Sequence, residues 1–225
     1  MPETRAVRAR LWLALPLAVA LQSAFAASNI VRDGSIGSGP ATALQPAGNI
    51  VRNGVSYRLI AIPESYGRRA GANLFQSFSS FDVGSGDAAM FTLAAAAHNV
   101  IARVTGGNPS MINGLLGLDP GATGSAPDLY FINPAGVTFG AGAALDVPAA
   151  LHVSTANYLK FSDGRLYADT TSASSFSTAA PEAFGFLGST RASVNVVEGA
   201  RLATHGRKLD VVAGDLLMDD GVITS

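Results

Sequence analysis

The chain has 225 residues, only 14% of them charged, with 15 basic against 16 acidic side chains and a net charge of −1. With no basic excess to neutralise phosphates, the composition argues against a nucleic-acid partner. Twenty-five glycines and eleven prolines supply many corners without the composition of a disordered chain, and the absence of cysteine leaves burial rather than disulfides to stabilise the fold.

The amino end reads as an export leader. Arg5, Arg8 and Arg10 stand against one acid, Glu3, and precede the uncharged apolar run Leu11–Leu21. Ala24-Phe25-Ala26 then fits the small-x-small rule, which predicts a signal peptide over 1–26 with cleavage between Ala26 and Ala27. The apolar run falls short of the roughly 20 residues of a spanning helix. Without adjacent arginines, the general secretory route is expected. The remainder, 27–225, is read as one domain.

After the leader, Asn29-Ile30-Val31-Arg32-Asp33-Gly34 recurs as Asn49-Ile50-Val51-Arg52-Asn53-Gly54, twenty residues later. Each copy reads as a β-branched strand ending in an Asx-Gly turn. Gly37–Gly48 between them reads as a Gly/Pro/Ala loop. In Asn73–Phe81, aromatics at Phe75, Phe78 and Phe81 recur every third residue, which is neither strand alternation nor a helical face. Phe91–His98 contains the run Ala94–Ala97 and is compatible with a helical turn. Leu115–Leu118, Leu129–Ile132 and Leu209–Val212 are apolar with little alternation, as in sheets covered on both faces.

Leu129–Ile132 and Val137–Phe139 flank the corner Asn133-Pro134-Ala135-Gly136, where Asn can bond turn backbone, Pro fixes φ and Gly takes φ > 0. A hairpin and one rung of a parallel β-helix both read this way. Thr170–Ala180, rich in Ser, Thr and Ala, reads as an exposed excursion. Val196-Val197-Glu198-Gly199-Ala200 and Met218-Asp219-Asp220-Gly221-Val222 repeat at a spacing of twenty-two residues. Such a period suits a solenoid, although a β-sandwich also shows short strands with frequent turns. Ser225 arrives in mid-pattern, so the domain is read as truncated at its C-terminus.

Together, Asn73-Leu74-Phe75-Gln76-Ser77-Phe78, Asn99–Gly107 (Asn-Val-Ile-Ala-Arg-Val-Thr-Gly-Gly), Asn133–Gly136 and Ser154-Thr155-Ala156 closely resemble the N-terminal secretion domain of the filamentous haemagglutinin family. These are the exported partners of two-partner secretion systems. The resemblance implies an all-β, right-handed parallel β-helix with an N-terminal cap and extra-helical strands. It also implies a non-enzymatic role without a cofactor, namely delivering an exported adhesin-like passenger to a cognate outer-membrane transporter with POTRA domains and a β-barrel. Secretion through the periplasm, to the surface of a Gram-negative-type bacterium or beyond, follows. Contact with a host surface or carbohydrate would fall to a downstream region. The resemblance marks Asn73, Leu74, Phe75, Ser77, Phe78, Asn99, Arg103, Asn133, Pro134 and Gly136 as recognition or structural residues. Gln76 stands where His is frequent, and Ala135 where many relatives have Asn.

Catalytic signals are weak. His98, His152 and His205 lack metal spacing, no G-x-S-x-G elbow is present, and Thr105-Gly106-Gly107-Asn108 lacks the Lys-Ser/Thr of a phosphate loop. Neighbours such as Asp219-Asp220 on a strand point to opposite faces and cannot flank a glycosidic bond together. The alternative reading is a secreted β-helical carbohydrate-active enzyme or carbohydrate-binding protein. N-terminal sequencing of the exported protein tests the leader: the sequence is expected to begin at Ala27, and a mature product retaining Leu11–Leu21 would contradict it.

Overall fold

The computed structural model describes residues 27–197 and 199–224. The leader assigned to 1–26, with Ala24 and Ala26, lies outside the described residues; Ala27 is the first of them. Among the described residues no helix is long and apolar enough to cross a membrane.

The chain winds into a parallel β-helix with three faces. The first face stacks Asn73–Asp82, Asn99–Val104, Asp128–Ile132, Leu151–Ser154 and Leu209–Val212, all parallel. The second stacks Val55–Pro63, Asp87–Thr92, Leu115–Asp119 and Ala144–Asp146, also parallel. Ser110–Ile112, Val137–Phe139, Val194–Val196 and Leu216–Met218 make the third. Arg201–Ala203, which lies beside Ala144–Asp146, and its parallel partner Val222–Thr224 continue the second face. Each rung runs first face, third face, second face, and there are five along 73–224. A two-sheet sandwich is therefore ruled out, and the all-β, β-helical expectation holds.

Rung length varies. Asn73 pairs with Asn99, Val100 with Leu129, and Leu129 with Leu151. The repeat at Val196 and Met218 is a true rung, because these two residues are direct parallel partners. The repeat at Asn29 and Asn49 is not. Both copies are antiparallel strands, and they sit on different sheets: Asn29–Arg32 pairs with Asn73–Asp82 and caps the first rung, whereas Asn49–Arg52 pairs with Val55–Pro63. Similar local sequences form strands in both places, and tertiary context chooses the partner. Asn53 and Gly54, with φ of 50° and 77°, make the tight hairpin turn.

The interior is lined by Leu74, Phe78, Phe81, Phe91, Phe131 and Phe139 among aliphatic neighbours. Phe81 stacks on Phe91 at 6.0 Å and meets Phe78 and Phe131 edge-on at 5.0 and 4.9 Å. Each such pair adds about 0.5–1.5 kcal/mol beyond its area burial. The three-residue aromatic spacing has a local cause. The register of Asn29–Arg32 against Asn73–Asp82 passes from Ser80 to Phe78, leaving Ser79 as a bulge. The extra residue lets both Phe78 and Phe81 enter the interior while Phe75 stays on the opposite side of the sheet.

Two faces carry outer covers. The hairpin around Asn49–Arg52 lies against the second face: Ile50, Tyr57 and Leu59 pack on Ala88, Met90 and Leu115. Arg52 bonds Asp146 and Asp119, from successive rungs, at 2.7 and 2.9 Å. The first face is covered by an antiparallel sheet of Tyr158–Phe161, Gly164–Tyr167 and Ala183–Gly185, inserted in the corner of the fourth rung. Residues 170–180, expected to be an exposed excursion, fold back from it onto the first rung, where Ser177 is buried and Phe176 meets Phe75 at 5.4 Å. Their composition is that of a loop, but Phe176 supplies an anchor.

Residues 93–98 form no helical turn. Arg69 occupies the Ala95 and Ala96 carbonyls at 3.0 and 2.8 Å, and Glu64 accepts from the Ala94 and Ala95 amides at 2.9 and 3.2 Å, so this short Ala run bends as a corner. Arg69 also donates to Glu64 at 2.7 Å. That hydrogen bond, with the two amides, outweighs burial and lowers Glu64 from 4.5 to about 2. A depressed carboxyl pKa stabilises the fold above the unfolded value and loses that contribution as the folded group protonates. The stability gap between the parent and Glu64→Gln is therefore expected to be full near neutral pH and to shrink as pH falls from 4.5 to about 2. Urea midpoints across this range measure it; a gap independent of pH would contradict the clamp.

Candidate functional site

The marked residues fall into two groups. The first lies on the first face, where Asn73–Asp82 and Asn99–Val104 pair in register, Asn73 with Asn99, Phe75 with Ile101 and Ser77 with Arg103. Alternation sends Leu74 and Phe78 into the interior and Asn73, Phe75 and Ser77 outward, yet all five are buried because the inserted sheet covers the outside. Phe75 packs with Ile101, Ile132, Leu159, Phe161 and Leu166 in a second apolar core.

Polar groups in this layer are bonded. Asn99 donates to the Asn73 carbonyl oxygen at 2.8 Å, and the Asn73 amide donates to the Ser177 and Ala179 carbonyls at 2.9 and 2.6 Å. Arg103, 3% exposed, spends its guanidinium on five acceptors. Nε reaches Ser77 Oγ at 2.8 Å, Nη2 reaches Ser35 Oγ at 2.9 Å, and Nη1 serves the Tyr167 and Asp169 carbonyls and Ser174 Oγ at 2.5, 3.0 and 3.2 Å. Its counter-charge, Asp33, is reached through the Ser77 and Ser35 hydroxyls and also accepts from Thr105. Burial lowers the Arg103 pKa from its ordinary value, against the attraction of Asp33 and Asp169. Burial works to raise Asp33, but hydrogen bonds from Ser77, Ser35 and Thr105 prevail and hold it below the usual carboxylate range. Buried charges persist when bonded in this way.

The resemblance marks Arg103 as a recognition or structural residue. The structure places it inside, joining the cap, the first two rungs and the inserted sheet. Asp33 was missed as its partner. The signal lay in the paired copies, one ending in Asp33-Gly34 and the other in Asn53-Gly54.

Gln76 points inward, donates to the Pro63 carbonyl at 3.2 Å, and leaves Oε1 buried without a partner. A buried unbonded carbonyl costs about 1–3 kcal/mol.

The second group is the corner of the third rung. Asn133 is fully buried; its amide donates to Asn108 O and Ser110 Oγ at 3.0 and 2.9 Å, in the rung before. Its carbonyl oxygen accepts from the Ala135 amide at 2.9 Å, closing the turn over Pro134. Gly136 sits at φ 121°, where a Cβ would also approach Ser193 O to 3.3 Å. One side chain thus shapes its own corner and pins it to the neighbouring one. A 210 Å³ cleft lined by Thr105, Asn133, Pro134, Asn157 and Asp169 lies between the corner and the foot of the insertion.

Elsewhere, His152 stacks on Tyr130 at 4.2 Å and meets Asp210 at 3.0 Å, in adjacent rungs. Burial, with Asp128 and Asp210 adding to it, pushes Tyr130 up to about 12, so it stays protonated at neutral pH. Asp220, at φ 50°, lies in the turn before Gly221. Among the described residues no group of three or more His, Cys, Asp or Glu is placed to hold a metal ion.

The TPS secretion domain family matches residues 42–225, so the cap strand Asn29–Arg32 precedes the matched span. None of the curated proteins matches the chain. The family is one of secretion domains rather than of catalysts, and its span takes in all five rungs, the inserted sheet and both groups of marked residues. The chain belongs to the TPS secretion domain family.

Proposed function

We propose that residues 27–225 are the secretion domain of an exported passenger, delivered through Sec and the periplasm to a cognate outer-membrane transporter with POTRA domains and a β-barrel. The adhesive activity of such a passenger would belong to a region beyond this domain. One observation carries the reading furthest: Asn73, Phe75, Arg103 and Asn133 are all buried in the folded domain. If a transporter reads these segments, it reads them before they fold, as extended chain that adds backbone hydrogen bonds to a POTRA sheet edge. Folding at the cell surface then withdraws them into the β-helix and opposes return. The absence of cysteine suits passage as an unfolded chain, since no disulfide closes a loop in the periplasm.

Asn133→Ile tests the corner. It removes three hydrogen bonds and leaves the buried Ser110 hydroxyl without this partner, at about 1–3 kcal/mol for that group. Fractionation in a host carrying the cognate transporter is expected to show the variant in the periplasm and depleted from the medium. Ala173→Ile, at an exposed position of the insertion, is expected to reach the medium like the parent. Normal export of Asn133→Ile would remove the corner as a secretion determinant. Purified Asn133→Ile that folds but is not exported would assign the defect to recognition; one that does not fold would assign it to folding.

A further inference from the structure

We propose that the insertion at residues 157–185 is a strap that sets a folding threshold, so that the first three rungs reach native stability only after this later segment has joined them. The proposal rests on the secretion reading only where it concerns the order in which the chain emerges.

The strap is stapled at its foot and docked at its far end. Where it leaves the stack, Thr155 Oγ1 donates to Ala192 O at 2.8 Å, and the Asn157 amide donates to Gly185 O at 2.9 Å. From that foot in the fourth rung, residues 170–180 reach back to the first. There Phe176 packs edge-on against Phe75 at 5.4 Å and under the Arg68 guanidinium at 4.4 Å, while Asn73 takes the Ser177 and Ala179 carbonyls. Midway, Leu159, Phe161 and Leu166 close over Ile101 and Ile132, and Arg103 takes the Tyr167 and Asp169 carbonyls. These bonds join residues 64 to 106 positions apart in the chain.

A stack lacking the strap would leave the outer side of the first face bare on the first three rungs. Phe75, Ile101 and Ile132 would face water, Asn73 would lose both of its carbonyl acceptors, and Arg103 would lose three of its five bonds. Rungs that stack in the order of synthesis would each be stable on arrival; these are not. Such long-range contacts are made late, because the loop-closure cost precedes their gain. In vectorial export, the amino-terminal rungs would remain open to unfolding until residue 185 had emerged, and strap docking would then lock the first three rungs at once.

Native-state hydrogen exchange on the purified mature chain tests this without any transporter, so a failed secretion reading leaves the result intact. In the parent, amides of Asn73–Asp82, Asn99–Val104 and Asp128–Ile132 are expected to open together with those of Asp87–Thr92 and Leu115–Asp119. Phe176→Ala is expected to speed exchange in all of these strands by a common factor of about tenfold, from loss of the aromatic and cation–π contacts. Phe176→Leu, which keeps most of the apolar contact, is expected to restore most of that protection. It carries the same comparison if the alanine variant does not fold. Acceleration confined to residues 157–185, with the rung strands unchanged, would overturn the strap.

Discussion

Burial of the first face from both sides is the constraint on which the rest of the structure depends. A parallel strand such as Asn99–Val104, buried at every position, cannot leave a side to water. The interior aromatics cover one side, and the other needs a cover from outside the helix. The inserted sheet supplies it, and its docking imposes further demands. Each outward polar group on the first two rungs must find an acceptor in the cover or the cap. Asn73, Ser77 and Arg103 do so. The cap is tied in through Ser35 and Asp33, which share the Arg103 charge with the first face.

The β-helix was legible because strand composition and corner chemistry agree. Apolar residues of both parities signal a sheet covered twice, and the Asn133–Gly136 corner follows from Asn, Pro and Gly each supplying one turn requirement. The pair Val196 and Met218 kept its rung spacing because no insertion falls between them. Other features depend on contacts far away in the chain. The two copies at Asn29 and Asn49 look like successive rungs, yet one caps the first face and the other forms a hairpin on the second. The bulge at Ser79 turns a three-residue aromatic spacing into strand structure, and no local residue type announces it. The backward reach of 170–180 rests on one aromatic within a Ser/Thr/Ala stretch. Arg103 is marked by the resemblance, but its acceptors, three serine hydroxyls and two backbone carbonyls, are scattered from Ser35 to Ser174, and no local pattern brings them together.

Asn73, Phe75, Arg103 and Asn133, on which the resemblance rests in part, are therefore parts of the fold's interior. Asn133 pins one corner to the next, Phe75 fills the outer core, and Arg103 ties three elements together. On the proposed reading such residues serve two states of the chain: in the folded state their side chains are spent on packing and hydrogen bonds, and in the unfolded state they are free for a partner. Secretion and folding would then compete for one set of groups, and the competition would run one way once the chain is outside.

Binding of the transporter's purified POTRA domains to two forms of the mature chain tests that competition most directly. One form is the folded parent. The other is Phe131→Asp, which places a charge in the fully buried interior and keeps every marked residue. Isothermal titration is expected to show binding to the unfolded variant and none to the folded parent. Equal affinity for the two would contradict recognition ahead of folding and would place the recognised surface on the exterior of the native β-helix.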